Sequence, residues 1–306
     1  MITLLSGGTG TPKLIQGLLH FVSHEELSII VNTGEDIWNS GVYVTPDIDT
    51  ILYTIAGLVD EKRWWGIKGD TFHGHEMLKR LGHVELLKLG DRDRAINIYR
   101  TLLLKEGFTL SEVIKKIASA LNIKTKVLPM SNHPVQTVIK TDVGDFNFQE
   151  FWVGRKAKDN VKGVIYRGAK KAQPAPGVIE AIKNAEKIII GPSNPITSIG
   201  PIVAIDGIKK ALLKTSANVC AVSPFIGTRA FSGPAEKLMR GIKQDPTALG
   251  IAKLYRKFLK SIVIDFQDAG LKQKIEKIGV KVFLTNIYMD NLQSKKELAK
   301  FLLKIK

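Results

Sequence analysis

Residues 1–36 read MITLLSGGTGTPKLIQGLLHFVSHEELSIIVNTGED. Ile2 to Leu5 is a short apolar run of buried-strand character, Gly7-Gly8-Thr9-Gly10 forces a tight turn, and Leu14, Ile15, Leu18, Leu19 and Val22 then recur at helical spacing. Leu27 to Val31 is a second buried-type strand, ending at Asn32-Thr33-Gly34-Glu35-Asp36. A β-α-β unit of this kind implies a parallel sheet with its ligand-bearing loops at the carboxyl edge.

The same alternation returns downstream. Lys187 to Ile190 enters Gly191-Pro192-Ser193-Asn194-Pro195, a helix is expected from about Pro201 to Leu213, and Val219 to Val222 runs into Ser223-Pro224-Phe225-Ile226-Gly227-Thr228. Apolar segments at Ser261 to Ile264 and Val280 to Leu284 bring the strand candidates to at least six, and Ser294 to Lys306 reads as an amphipathic helix. Between these parts, 59–122 is helical and charge-rich. From Lys126 to about Tyr166 the period changes to alternation (Val135, Thr137, Ile139, then Phe146, Phe148, Phe151), which predicts hairpins about a turn at Asp142-Val143-Gly144-Asp145. The expected fold is α/β: a Rossmann-like parallel-sheet core from 1–58 and 176–306, with an inserted helical and β-hairpin cap at 59–175.

At 44% hydrophobic and 24% charged residues, with mean hydropathy +0.03, the 306-residue chain is neither disordered nor fibrous. No run approaches the ~20 apolar residues needed to span a bilayer, and the first residues lack the basic start of a secretory signal. A cytoplasmic protein without membrane partners is expected. Cys220, alone in an apolar setting, reads as a buried small side chain. The net charge of +16 is uneven: residues 1–100 carry 10 basic and 13 acidic groups, 101–306 carry 35 and 16. The excess lies in dispersed single lysines and pairs such as Lys115-Lys116 and Lys209-Lys210, with no aromatic RNA-binding motif or long basic run. A solvated lysine-rich surface, suited to an anionic small substrate and not to nucleic acid, is the reading.

Chemistry-bearing residues gather at the predicted strand ends. Glycines in Ser6-Gly7-Gly8-Thr9-Gly10-Thr11-Pro12-Lys13 let backbone amides approach a phosphate, and the helix start adds partial positive charge. The pattern departs from GxGxxG and from GxxxxGK[ST], so neither a dinucleotide fold nor a P-loop kinase follows, and a merely tight turn is the plain alternative. Gly7, Gly8, Thr9, Gly10 and Lys13, with Asn32, Ser193, Asn194, Ser223 and Gly227 from neighbouring loops, are the candidate nucleotide and phosphate contacts. Asp47 and Asp49 flank Ile48; in an extended segment they would point the same way and suit a divalent cation bridging phosphates, while one of them capping a helix near Thr50 is the alternative. Trp64 and Trp65 either stack on a flat ligand or pack the cap. His73 and His75 lack zinc spacing, no GxSxG elbow occurs, and a lone cysteine makes no thiol enzyme.

Taken together, SGGTGTPKL (6–14), VNTGED (31–36), TPDIDTILYTIAGL (45–58), WWGIKGDT (64–71), LKLGDRD (87–93), VLPMSNHPVQT (127–137), IIIGPSNPITSIGPI (188–202) and AVSPFIG with FSGPAEK (221–237) resemble the 2-phospho-L-lactate transferase family over about residues 1 to 270. The resemblance implies transfer of a phospholactyl or phosphoenolpyruvyl group from a guanosine diphosphate conjugate (lactyl-2-diphospho-5'-guanosine type) to the ribityl hydroxyl of the deazaflavin Fo, 7,8-didemethyl-8-hydroxy-5-deazariboflavin. GMP and the F420-0 form of coenzyme F420 are the implied products, with Mg2+ as cofactor and a homodimer as assembly. Carried over residue by residue, it implies Fo contacts at Asp49 and Lys88 with Trp65 beside them, catalytic roles for Asp49, Asp47 and Asp91, and Mg2+ at Asp47 and Asp49, with Asp36 near the phosphates. Three positions depart from the family pattern: Thr11 in place of a glycine, Asn97 in place of a histidine, and Thr228-Arg229 in place of a Gly-Lys type pair. The competing expectation is a non-catalytic nucleotide-sugar-binding regulatory protein of related fold; Gly90-Asp91-Arg92-Asp93 and Trp64-Trp65-Gly66 side with the enzyme.

Overall fold

A computed structural model describes residues 1–305. Seven strands, Ile2–Ser6 (β1), Leu27–Val31 (β2), Lys126–Pro129 (β3), Lys187–Ile190 (β4), Asn218–Val222 (β5), Ser261–Ile264 (β6) and Lys281–Leu284 (β7), form one sheet in the order β7-β6-β5-β4-β1-β2-β3. Every pairing is parallel. The order reverses between β1 and β4, and in a doubly wound sheet that crevice is where ligands bind. Successive residues feed opposite cores: Leu5, Ile30, Ile190 and Ala221 pack on one face, Leu4, Ile29, Ile189 and Cys220 on the other. Burial on both faces is why these strands read as unbroken apolar runs. Cys220 is fully enclosed, as its setting predicts, and burial pushes its thiol up to about 11.

The helices that matter for the site are Gly10–Leu18 (α1), Pro46–Ile55 (α2), His73–Arg80 (α3) and Asp91–Lys105 (α4). The last helix, Leu292–Lys304, lies against α1 so closely that a Cβ on Gly17 would run into the Lys295 carbonyl. Its carboxyl end is closed by Lys187 Nζ, which donates to the carbonyls of Leu303 at 3.2 Å and Ile305 at 2.7 Å.

Several expectations change. The Lys126–Pro129 strand falls inside 59–175 yet forms the edge of the main sheet beside β2. Asp47 and Asp49 are in the first turn of α2, because Pro46 starts the helix four residues before Thr50. The expected helix from 201 to 213 is two helices, Ile199–Ala204 and Asp206–Lys214. The hairpin region is a three-stranded antiparallel sheet of Asp145–Asn147, Gln136–Thr141 and Val161–Arg167, but Phe151 lies in a π-helical turn, Glu150–Gly154. A short hairpin, Ile37–Asn39 with Val42–Val44, turns through Ser40 and Gly41 at φ 51° and 82°, the pair of left-handed residues a two-residue hairpin loop needs. No helix among the described residues is long and apolar enough to cross a membrane.

Candidate active site

The loops after β1 and β4 interlock at the switch point. Ser193 Oγ accepts from the Gly7 amide at 3.2 Å and the Thr11 amide at 3.4 Å, and lies 2.7 Å from Thr11 Oγ1. A Cβ on Gly10 would strike the Pro192 carbonyl, and one on Gly191 would strike the Thr11 side chain. None of Gly7, Gly8 and Gly10 has a positive φ, so these glycines provide room for close approach. Thr9 makes no side-chain cap bond to α1; in the first turn Ser193 takes the Thr11 amide and Pro12 has none, which leaves the Gly10 amide for an anion.

Beside this loop lies a buried group of carboxylates. Asp47 accepts from Asn32 Nδ2 at 2.8 Å and from the Gly8 amide. Asp49, roughly 200° further round the helix, turns to different partners: its Oδ1 pairs with Arg100 Nη2 and its Oδ2 takes the Thr45 amide at 3.4 Å. Arg100 is wholly buried and also donates to Asn97 Oδ1 and, at 3.2 Å, to the Tyr43 carbonyl. Asn97 passes the link on to Asp93 Oδ1 at 3.0 Å, which also receives the Tyr53 hydroxyl at 2.8 Å. Burial pushes Asp47 up to about 6. Burial, then the charge of Asp49, does the same to Asp93. Glu35 is raised well above its usual range by burial and then by Asp47. Asp36 is raised by burial with Arg100 opposing, and Asp49 follows the same balance.

Of these groups, Glu35, Asp47, Asp49, Tyr53 and Asp93 open into a cleft of about 590 Å³, which Gly8, Thr9 and Ser193 also bound on the core side. Its far walls are Trp65, Lys88, Phe148 and Trp152, the two tryptophans each about two-fifths exposed. Glu85 anchors the segment that carries Lys88, accepting from Arg94 at 2.7 and 3.0 Å and facing His75 Nδ1 at 2.9 Å. Lys88 Nζ sits 4.4 Å over the Phe72 ring. A second cavity, about 1020 Å³, lies across the glycine loop and includes Gly10, Lys13, Arg229, Phe231, Tyr288 and Lys295. Trp64 lines both spaces. Its φ of 58° is unusual for a bulky residue, and the ammonium groups of Lys13 and Lys295 lie 5.2 and 4.9 Å from its ring centre. Burial, then the charge of Lys295, lowers the Lys13 pKa.

The structure therefore gathers Gly8, Thr9, Asp47, Asp49, Trp65, Lys88, Ser193 and Asn194 around one cleft, with Gly10 and Lys13 around the other. Gly7 and Asn32 stand one layer behind, bonded to Ser193 and Asp47. Ser223 and Gly227 line neither cavity: the Ser223 hydroxyl donates to the Phe225 carbonyl at 2.8 Å, and the Gly227 amide donates to Asp268 at 3.0 Å. Asp91 also stands apart. It caps α3, accepting from the Thr71 hydroxyl at 2.6 Å and the His73 and Gly74 amides at 3.0 and 2.9 Å, bonds that hold its carboxyl below the usual range. Asp36 accepts from the Tyr43 hydroxyl at 3.3 Å. Glu35, Arg100, Trp152 and Lys295 lie outside the residues the sequence points to, and Asp93 is among them only as part of the Gly90-Asp91-Arg92-Asp93 turn; the polar spacing Asp93, Asn97, Arg100 along α4 is the signal available.

The family model described as 2-phospho-L-lactate transferase CofD matches residues 2–296. The chain is 50% identical over 303 residues to the 2-phospho-L-lactate transferase of Methanothermobacter thermautotrophicus, covering 99% of this chain and 97% of that one. It is 48% identical to the 2-phospho-L-lactate transferase of Methanocaldococcus jannaschii, covering 98% and 96%. Among solved structures, a UPF0052-family protein of Bacillus halodurans shares the fold, with a TM-score of 0.69, 18% identity and coverage of 99% and 98%.

Proposed function

Because the chain belongs to the 2-phospho-L-lactate transferase family and so is an enzyme of phospholactate transfer in coenzyme F420 biosynthesis, we propose that its donor is a guanosine diphosphate-linked lactate or enolpyruvate and its acceptor is Fo. The observation that carries this reading is the pair of cavities meeting at one glycine loop, with Gly8 and Thr9 on one side and Gly10 on the other. A bisubstrate transfer needs such a junction, where the reacting phosphorus is reachable from both sides.

In this reading the donor diphosphate lies along the loop beside the Gly10 amide at the start of α1, with its nucleoside among Phe231, Tyr288, Lys13 and Lys295 in the second cavity. Fo occupies the first cleft, its flat ring beside Trp65 and Trp152 and its polar groups within reach of Lys88. The ribityl oxygen attacks the lactyl-bearing phosphorus, and the bond from that phosphorus to the bridging oxygen breaks in line, releasing GMP. Asp49 accepts the hydroxyl proton, and the Thr9 and Gly10 amides, which neither Ser193 nor Asp47 takes, meet charge on the non-bridging oxygens.

No three His, Cys, Asp or Glu side chains among the described residues gather into a metal cage. Magnesium requires less, one or two carboxylates completed by substrate phosphates and water. Asp47, lying against Gly8 at the phosphate loop, fits that demand, while Asp49 faces Arg100 and the Thr45 amide. When bound, Mg2+ supplies positive charge opposite the phosphate oxygens. Purified protein incubated with Fo, Mg2+ and each guanosine donor is expected to release GMP and form F420-0. GMP release that does not depend on Fo, or none with either donor, would show the reading to be wrong.

A further inference from the structure

A buried ion pair is seldom better for stability than well-packed apolar groups, so the pair of Asp49 with Arg100 beside the cleft calls for another reason. The two residues are 51 apart in the chain, on α2 and α4. Arg100 is among the largest fully buried side chains of the protein. Its guanidinium is held from the other side too, by the Tyr43 carbonyl and by Asn97, which is itself bonded to the Asp93 backbone carbonyl at 2.9 Å. Nη1 is thus held by two oxygens before Asp49 meets Nη2, and a planar guanidinium held in this way sets the direction from which Nη2 donates to the carboxylate. Asp49, with one oxygen committed to the fork and the other to the Thr45 amide, has little freedom to turn within the cleft.

We infer that Arg100 is a positioning residue for the transfer: held by Tyr43 and Asn97, it fixes Asp49 in the orientation from which Asp49 addresses the acceptor hydroxyl. The inference rests on the reading of the first cleft as the acceptor site, and it assigns Arg100 no contact with either substrate.

The test is a set of steady-state measurements with Fo and donor varied separately, on Asp49→Asn, Arg100→Met, Arg100→Lys and the double variant Asp49→Asn/Arg100→Met. Arg100→Met is expected to lower kcat about 100-fold, the scale of loss that misplacing a reacting group produces, while the KM for the donor stays near that of wild type. Arg100→Lys, which keeps the charge but not the fork, recovers part of that loss. Arg100→Met leaves a carboxylate buried and unpaired and is the least stable of the set, so the deciding comparison avoids it. With Asp49 already neutral, removing Arg100 as well should cost no further kcat, because a residue that acts through Asp49 has nothing left to act on. A double variant far slower than Asp49→Asn overturns the inference and leaves the proposed reaction standing. Wild-type protein that transfers nothing to Fo overturns both.

Discussion

The hydroxyl of Ser193 lies 2.7 Å from that of Thr11, which buckles the loop after β4 to the first turn of α1. The same oxygen accepts two buried amides, so Ser193→Ala strands the Gly7 donor at a cost of about 1–3 kcal/mol. A lower melting temperature and weaker binding of guanosine diphosphate are expected together, by calorimetry. Unchanged affinity in the folded variant would mean that the phosphate loop holds its shape without this serine.

Gly8 and Gly10 should answer differently to alanine. At Gly10 the added methyl meets the backbone carbonyl of Pro192, which cannot rotate away, and overpacking of this kind costs roughly 1–3 kcal/mol or more. At Gly8 it meets Oδ1 of Asp47, the far end of a side chain, and comes within 3.1 Å of the Asp47 Cα. Gly8→Ala should therefore lose less stability than Gly10→Ala yet lose most activity, whereas Gly10→Ala loses stability first. Thermal melts run alongside turnover assays distinguish the two, and the reverse order would refute the assignment.

Lys88 stands half-exposed over Phe72, across the cleft from the phosphate loop. Lys88→Ala is expected to weaken Fo binding and to leave guanosine diphosphate affinity almost unaltered. Titration of each ligand separately gives the answer; loss of the nucleotide with Fo retained would reverse the two sides of the site.

Burial sets a pH dependence of stability in the ligand-free protein. Asp47, facing Asn32 and the Gly8 amide, and Asp93, facing Asp49, Tyr53, Arg100 and Asp70, both stand at about 6 when folded against an ordinary 3.8. Between those values the folded chain holds more protons than the unfolded one, so stability falls as pH rises from about 4 to 6, by at most about 1.4 kcal/mol per unit for each group. The carboxylates held low, such as Glu85 with Arg94, act in the opposite sense at lower pH. Melting midpoints should be higher at pH 5 than at pH 7, and Asp93→Asn should flatten the trend. An identical slope in that variant would remove Asp93 from the account.

How much of this could be read from the chain depends on the range of each interaction. The β-α-β start, the loops at the carboxyl edge and the hairpin region follow from periodicity and turn residues, which are local. Lys126–Pro129 joins the sheet 95 positions after Val31, its pairing partner through Pro129, and no local signal separates such a strand from a hairpin strand. The GDRD turn was legible as a feature, but which of its carboxylates faces the cleft was not. Asp91 is drawn away by the free amides at the start of α3, while Asp93 is drawn inward by Tyr53, 40 residues earlier. Lys295 reads from the sequence as one of many dispersed surface lysines; only the close passage at Gly17 places it beside Lys13.

That passage has a consequence for biosynthesis. Lys295 Nζ ties Gln16, at 2.6 Å, to Glu61, at 3.0 Å, and closes a wall of the second cavity. On the ribosome Gln16, just past the glycine loop, emerges 279 residues ahead of this lysine, at ~5–20 residues per second. For most of that interval the nascent chain carries a phosphate loop with an open flank and an uncovered apolar face on α1, which Leu298 and Leu302 later help to cover. That part of the cover over α1 therefore arrives only after every strand of the main sheet has been made.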